Sequence, residues 1–176
     1  GRSGNDLHYR GYDIKDLAEH ATFEEVAYLL VYGELPTASA LRAYVAKLKR
    51  LRGLPQPVKA ALELLPASTH PMDVMRTGCS VLGTVLPERD SHPVAEARDI
   101  ADRLMASFGS MLLYWYHYSH NGRRVEVETG DETIAAHFLH VLHGRPPSAL
   151  HARALDQSLI LYAEHEFNAS TFAARV

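Results

Sequence analysis

Apolar residues recur along most of this chain at intervals of three and four, the period of a helix with one buried face, and strict alternation is nearly absent. Punctuation divides the pattern into elements. Asp13 can cap IKDLAEHA as a short helix, and Thr22 and Glu25 stand at capping-box spacing, where hydroxyl and carboxylate each take an orphan amide. That box predicts a helix to Tyr32, stopped by Gly33 and Pro36. Thr37 or Ser39 opens the next, through Leu51; Pro57 starts one from Val58 to Leu65; Thr69-His70-Pro71 introduces MDVMRTGCSVLGTVL, which Pro87 closes. The longest helix follows Ser91-His92-Pro93 and runs from Val94 to Ser119. Its Leu104, Phe108, Met111, Leu112, Trp115 and Tyr118 occupy more than one face, which predicts burial on several sides.

Asn121-Gly122 signals a turn and RRVEVE a brief extended piece. Thr129 with Glu132 repeats the capping-box spacing ahead of IAAHFLHVLHG, and Pro146, Pro147 and Ser148 introduce a final helix from Ala149 to Glu166. The opening GRSGNDLHYRGYDI, with glycines at 1, 4 and 11, reads as an irregular, strand-like piece. Together these elements predict an all-α, multi-helical domain with a short extended N-terminal segment, and 176 residues fit a single domain.

Composition narrows the function classes. The single cysteine, Cys79, excludes an internal disulfide and points to a reducing, cytoplasmic setting. The longest apolar stretch, Met111 to Tyr118, is too short for a membrane span of about 20 residues. With a net charge of −3 and scattered Lys and Arg, the chain lacks the basic stripe that nucleic acid requires. Eleven histidines fit acid–base chemistry, metal ligation or surface composition equally well.

On a final helix reaching Glu166, His165 shares a face with Ser158, Leu161 and Tyr162. One reading is a core histidine bonded to a carbonyl. The other starts from Asn168, Ser170 and Thr171, poor helix formers whose donors can converge with His165 on an anion. His137, His140 and His143 recur every three residues, so two of them are possible metal ligands; no Asp, Glu or Cys stands at ligand spacing, which favours a half-buried helix flank and no metal. His117 and His120 close the long helix, where the dipole favours an imidazolium and a capping role. Neither a phosphate-cradling Gly-x-Gly run nor a nucleophile elbow is present. Apolar Phe172 and Val176 still arrive at helical spacing as the sequence stops, which reads as a fragment.

Four stretches, DLHYRGYDIKDLAEHATFEEVAYLLVYGELP, THPMDVMRTG, YWYHYSHNG and LYAEHEFNASTFAARV, resemble the citrate synthase family across essentially the whole chain, most closely its 2-methylcitrate synthase branch. The resemblance implies the N-terminal part of a mostly helical large domain, with the small domain and the C-terminal part absent, and a homodimer in the cytoplasm. It implies condensation of an acyl-CoA, propionyl-CoA or acetyl-CoA, with oxaloacetate, without metal or prosthetic group. The catalytic Asp and two His of the family sit in motifs not found here, so this chain alone is expected to be inactive. Within it, the resemblance matches His165 to a histidine that hydrogen-bonds oxaloacetate, Ser170 to a residue orienting the enol-stabilising His, and Asn168, more loosely, to a substrate-side Asn. Where many members read HADHE or HSDHE, this chain reads YAEHE, which makes Tyr162 a candidate for the acyl pocket; a core aromatic with a bonded hydroxyl is the plain alternative. A non-catalytic helical interaction domain is the rival from another class, and a metal-binding bundle the third.

Overall fold

The computed structural model describes residues 7–86 and 94–164. Its N-terminal piece is a two-stranded antiparallel hairpin, β1 (His8–Tyr9) and β2 (Tyr12–Asp13), with Tyr9 opposite Tyr12. Arg10 and Gly11 between them both take positive φ, 52° and 93°, the primed-turn geometry that suits the twist of paired strands. The strained non-glycine residue is held by its guanidinium, which donates to Leu30 O at 3.3 Å.

Eight helices follow among the described residues. Asp13 caps α1 (Ile14–His20), accepting from Lys15 N. The capping box at Thr22 and Glu25 is formed and opens α2 (Phe23–Tyr32), which ends on left-handed Gly33. Thr37, not Ser39, caps α3 (Ala38–Arg50); α4 (Gln56–Glu63) carries Pro57 in its first turn; His70 caps α5 (Pro71–Val85) through its ring, accepting from Met72 N. The long helix α6 spans Val94–Asn121, two residues past the expected end.

RRVEVE pairs with no strand among the described residues. Two expectations about helix boundaries needed correction. Helix α7 (Ile134–His143) is capped by Thr133, which accepts from Ala136 N, because the Thr129 hydroxyl is engaged by Asp131 and His137 instead. Helix α8 (Ala149–Leu161) stops well before Glu166, so no unbroken helical face runs from Ser158 to His165.

Packing explains the order of the elements. One core joins α4, α5, α6 and α7 around Val58, Leu62, Val74, Met111, Trp115 and Val141. A second joins the hairpin, α1, α2 and α8 through Tyr9, Leu17, Val26, Leu29 and Ile160. Between them, α2, α3 and α6 meet at Ala27, Tyr44, Leu48 and Ala106, beside Asp102, which is fully buried. Asp102 accepts from Tyr32 at 2.7 Å, Tyr44 at 2.8 Å and Lys47 at 2.6 Å, so its charge is met from two neighbouring helices.

Helix α6 is not enclosed on every side. Met111 and Trp115 are buried, but Leu104, Phe108 and Leu112 line an open apolar groove of about 470 Å³ shared with Phe23, Phe138 and Leu159.

Candidate functional site

The sequence directed attention to the end of α8, and the structure shows how that end is fixed in space. Arg153 and Asp156, one turn apart and 2.9 Å from each other, grip the junction between α1 and α2 from both sides. The Arg153 guanidinium donates to Ala18 O and Glu19 O at 2.7 Å and to Ala21 O at 2.8 Å, satisfying carbonyls that α1 leaves open at its C-terminus. Asp156 Oδ1 accepts from Phe23 N at 3.0 Å, the first amide of α2, where a carboxylate meets the positive end of the dipole. Gln157 adds a bond to Ala18 O at 3.0 Å. Three side chains on one face thus set both the rotation and the height of α8.

Its last turn is held from the other direction. Tyr9, 1 % exposed, donates its hydroxyl to Ile160 O at 3.0 Å and lies 3.4 Å from both Leu161 O and Glu164 O. Burial raises its pKa above the usual tyrosine value, so the hydroxyl stays protonated as a donor. Tyr162 closes the helix, its amide bonding Ser158 O and Ile160 O, with the side chain 83 % exposed. His165 and Asn168, matched by resemblance to substrate-binding residues, and Ser170, matched to an orienting residue, lie outside the described residues.

The histidines singled out elsewhere have structural employment. His137 is buried, with Nδ1 3.0 Å from the Thr129 hydroxyl and Nε2 3.2 Å from that of Ser110. Thr129 spends its own proton on Asp131, so Nδ1 of His137 is the donor and Nε2 the acceptor, a neutral ring. Desolvation, aided by nearby Arg52, pushes that ring's pKa down to about 4. His140 bonds Asp131 at 2.7 Å. Against a burial that would raise it, Asp131 is held below the usual carboxylate range by Thr129 and His140. His117, expected as a helix cap, is instead a buried link from α6 to α7, donating Nε2–H to Val141 O at 2.9 Å. His120 does cap its own turn, against Tyr116 O at 3.1 Å. Among the described residues no three His, Cys, Asp or Glu come together as a metal site.

A second buried polar cluster adjoins this network. Glu24, 1 % exposed, accepts from Ile134 N at 2.7 Å and so caps α7 from α2. Burial pushes its carboxyl up to about 7, opposed by the Ile134 amide. Arg52, equally buried, donates to Thr129 O at 3.2 Å and Asp131 O at 2.6 Å, and burial lowers its pKa. The larger hollow of the structure, about 840 Å³, is bounded by His117, Arg123, Glu126, Glu128, Thr129 and His140, with none of the described residues of α8 in its wall.

Of these residues, sequence reasoning missed Tyr9, Arg153, Asp156, Glu24 and Asp102. Each acts on a partner far along the chain, and the i,i+3 spacing of Arg153 and Asp156 was the only visible hint.

The family described as "Citrate synthase, C-terminal domain" matches residues 1–176. The chain belongs to the citrate synthase family. It is 64 % identical to the 2-methylcitrate synthase of Shewanella oneidensis over 176 residues, which is 100 % of this chain and 46 % of that protein. It is 40 % identical over 172 residues to the citrate synthase of Mycolicibacterium smegmatis, covering 98 % of this chain and 45 % of that one. Among solved structures it resembles the citrate synthase of Thermoplasma acidophilum in ternary complex with carboxymethyl coenzyme A and oxaloacetate, with a TM-score of 0.84, 27 % identity, and coverage of 95 % of this chain and 44 % of that one. The citrate synthase of Pyrobaculum aerophilum superposes with a TM-score of 0.80 at 34 % identity, over 96 % and 44 % of the two chains. This chain spans about half the length of the citrate synthase relatives it matches.

Proposed function

We propose that this chain is the N-terminal part of the large domain of a 2-methylcitrate synthase, which joins propionyl-CoA to oxaloacetate and hydrolyses the thioester to give 2-methylcitrate and CoA. The observation that carries the reading is the 64 % identity to a 2-methylcitrate synthase along the entire chain. A citrate synthase using acetyl-CoA is the second reading, favoured by relatives of that name at 34–40 % identity. A non-catalytic interaction domain draws no comparable support.

In this reading the chain contributes the oxaloacetate side of the pocket. Oxaloacetate carries two carboxylates and a ketone, so it requires several charge-assisted donors. His165 donates to it from the segment that follows α8, Asn168 stands beside it, and Ser170 orients the enol-stabilising histidine contributed from elsewhere in the protein. Proton removal next to the thioester also falls to groups beyond this chain, which by itself is therefore inactive. No metal or prosthetic group enters. The protein acts in the cytoplasm as a homodimer, to which the apolar face of α6 is suited.

The test is release of free thiol by the full-length protein with oxaloacetate and either acyl-CoA. Faster turnover of propionyl-CoA supports the first reading, a reversed preference the second, and no release with either removes both. Tyr162 is assigned to the acyl side. Because one methylene is worth about 1–3 kcal/mol, Tyr162→His is expected to shift the propionyl-to-acetyl preference by roughly tenfold or more, and an unchanged ratio would return Tyr162 to the role of an exposed helix terminator.

A further inference from the structure

We infer that the hollow between the ends of α6 and α7 is a binding site for a small organic diamine, whose ammonium groups meet Glu126, Glu128 and the Nδ1 of His117. The extended RRVEVE piece forms one wall of it. Val127 is 1 % exposed and its carbonyl accepts from the Ser110 hydroxyl at 3.5 Å, so the alternation of an extended chain sends Glu126 and Glu128 to the opposite side, where both line the hollow. The two carboxylates are exposed, and neither has a hydrogen-bond or ion-pair partner among the described residues.

His117 supplies what a charged rim alone does not. It is 8 % exposed, it stands in the wall, and with Nε2–H donated to Val141 O at 2.9 Å its Nδ1 is buried without a partner. In the neutral ring that nitrogen is an acceptor, which only an N–H or O–H group can meet. Helices α6 and α7 also end on the hollow, at Asn121 and His143, and bring the negative ends of two dipoles to it. Two cations of the wall are engaged elsewhere: Arg124 gives Nε and a terminal nitrogen to Glu63, each at 2.8 Å, and His140 turns Nδ1 to Asp131 at 2.7 Å. Arg123 and His143 remain, against two carboxylates, two helix ends and a buried acceptor. That imbalance selects a cation, the acceptor selects one that carries N–H, and the paired carboxylates select one with two such groups. A volume of about 840 Å³ is ample for a four-carbon diamine.

The experiment titrates the full-length protein with putrescine, a four-carbon diamine, by calorimetry. Saturable binding of one diamine per chain is expected, with n-butylamine about threefold to tenfold weaker because it brings one ammonium fewer. Glu126→Gln and Glu128→Gln should each weaken putrescine binding by about threefold to tenfold and, as changes to exposed side chains, leave Tm where it was. In protein with isotope-labelled histidine nitrogens, the Nδ1 resonance of His117, assigned by its loss in His117→Gln, should move as putrescine is added. No binding, binding of the dianion succinate in place of putrescine, an affinity unchanged in both glutamate variants, or a His117 resonance that stays still overturns the inference. None of these outcomes touches the function proposed above, which thiol release tests separately.

Discussion

At the residue scale, two buried groups make opposite demands on pH. Glu24 titrates at about 7, above an ordinary glutamate, because burial penalises its charge. Its contribution to stability is complete below the unfolded value near 4.5 and is lost as pH rises through the folded value. His137 titrates at about 4, below the ordinary 6.5, so its contribution is present above 6.5 and lost as pH falls toward 4. Between about pH 4.5 and 6.5 the two slopes oppose each other, and wild-type Tm is expected to be nearly flat there. Glu24→Gln should unmask a Tm that climbs with pH across that window, and His137→Gln one that declines; parallel profiles for all three proteins would show that neither group governs the pH response. The sequence displayed both residues but not their environments, since the desolvation comes from elements more than 100 positions away in the case of Glu24 and Ile134.

At the element scale, local chemistry was readable and borrowed chemistry was not. The Thr22–Glu25 box, the stops at Gly33 and Gly144 and the starts at Pro57 and Pro71 need only near neighbours, and all stand as the sequence implied. Thr129 was mistaken for a cap because its spacing to Glu132 is right; its hydroxyl is taken by a tertiary network that no short window contains. The early end of α8 was hidden because apolar periodicity continues past Leu161 while the helix does not. For the site, the resemblance supplied His165, Asn168 and Ser170, and the physical reading of residues alone supplied only an anion site near His165. Thr133→Ala should cost about 1 kcal/mol in urea unfolding, the worth of one cap. Thr129→Ala should cost about 1–3 kcal/mol, because buried His137 then loses the acceptor for its Nδ1–H. Equal costs would mean that the Thr129 hydroxyl merely decorates the network.

At the scale of the whole molecule, α6 contributes to the first and third cores and α2 to the second and third, yet one face of α6 remains an open apolar groove. No described helix is long and apolar enough to cross a membrane. The proposed chemistry draws its electrophile and nucleophile from the two substrates, so dialysis of the full-length protein against a chelator should leave thiol release unchanged within about twofold, which is about 0.4 kcal/mol on a scale of about 1.4 kcal/mol per decade. A larger loss, restored by a divalent ion, would revive the metal-binding reading of His137, His140 and His143.

Beyond the local caps at Thr22–Glu25 and Thr133, Asp156 adds a carboxylate at the first amide of α2 and Glu24 adds one at the first amide of α7. A nascent chain leaving the ribosome therefore carries a first helical pair whose seal has not yet been translated, whereas α4, α5 and α6 are neighbours both in order of synthesis and in space. Pausing translation before codon 156 should leave the N-terminal hairpin and α1 open to protease, and resuming it should close them in one step.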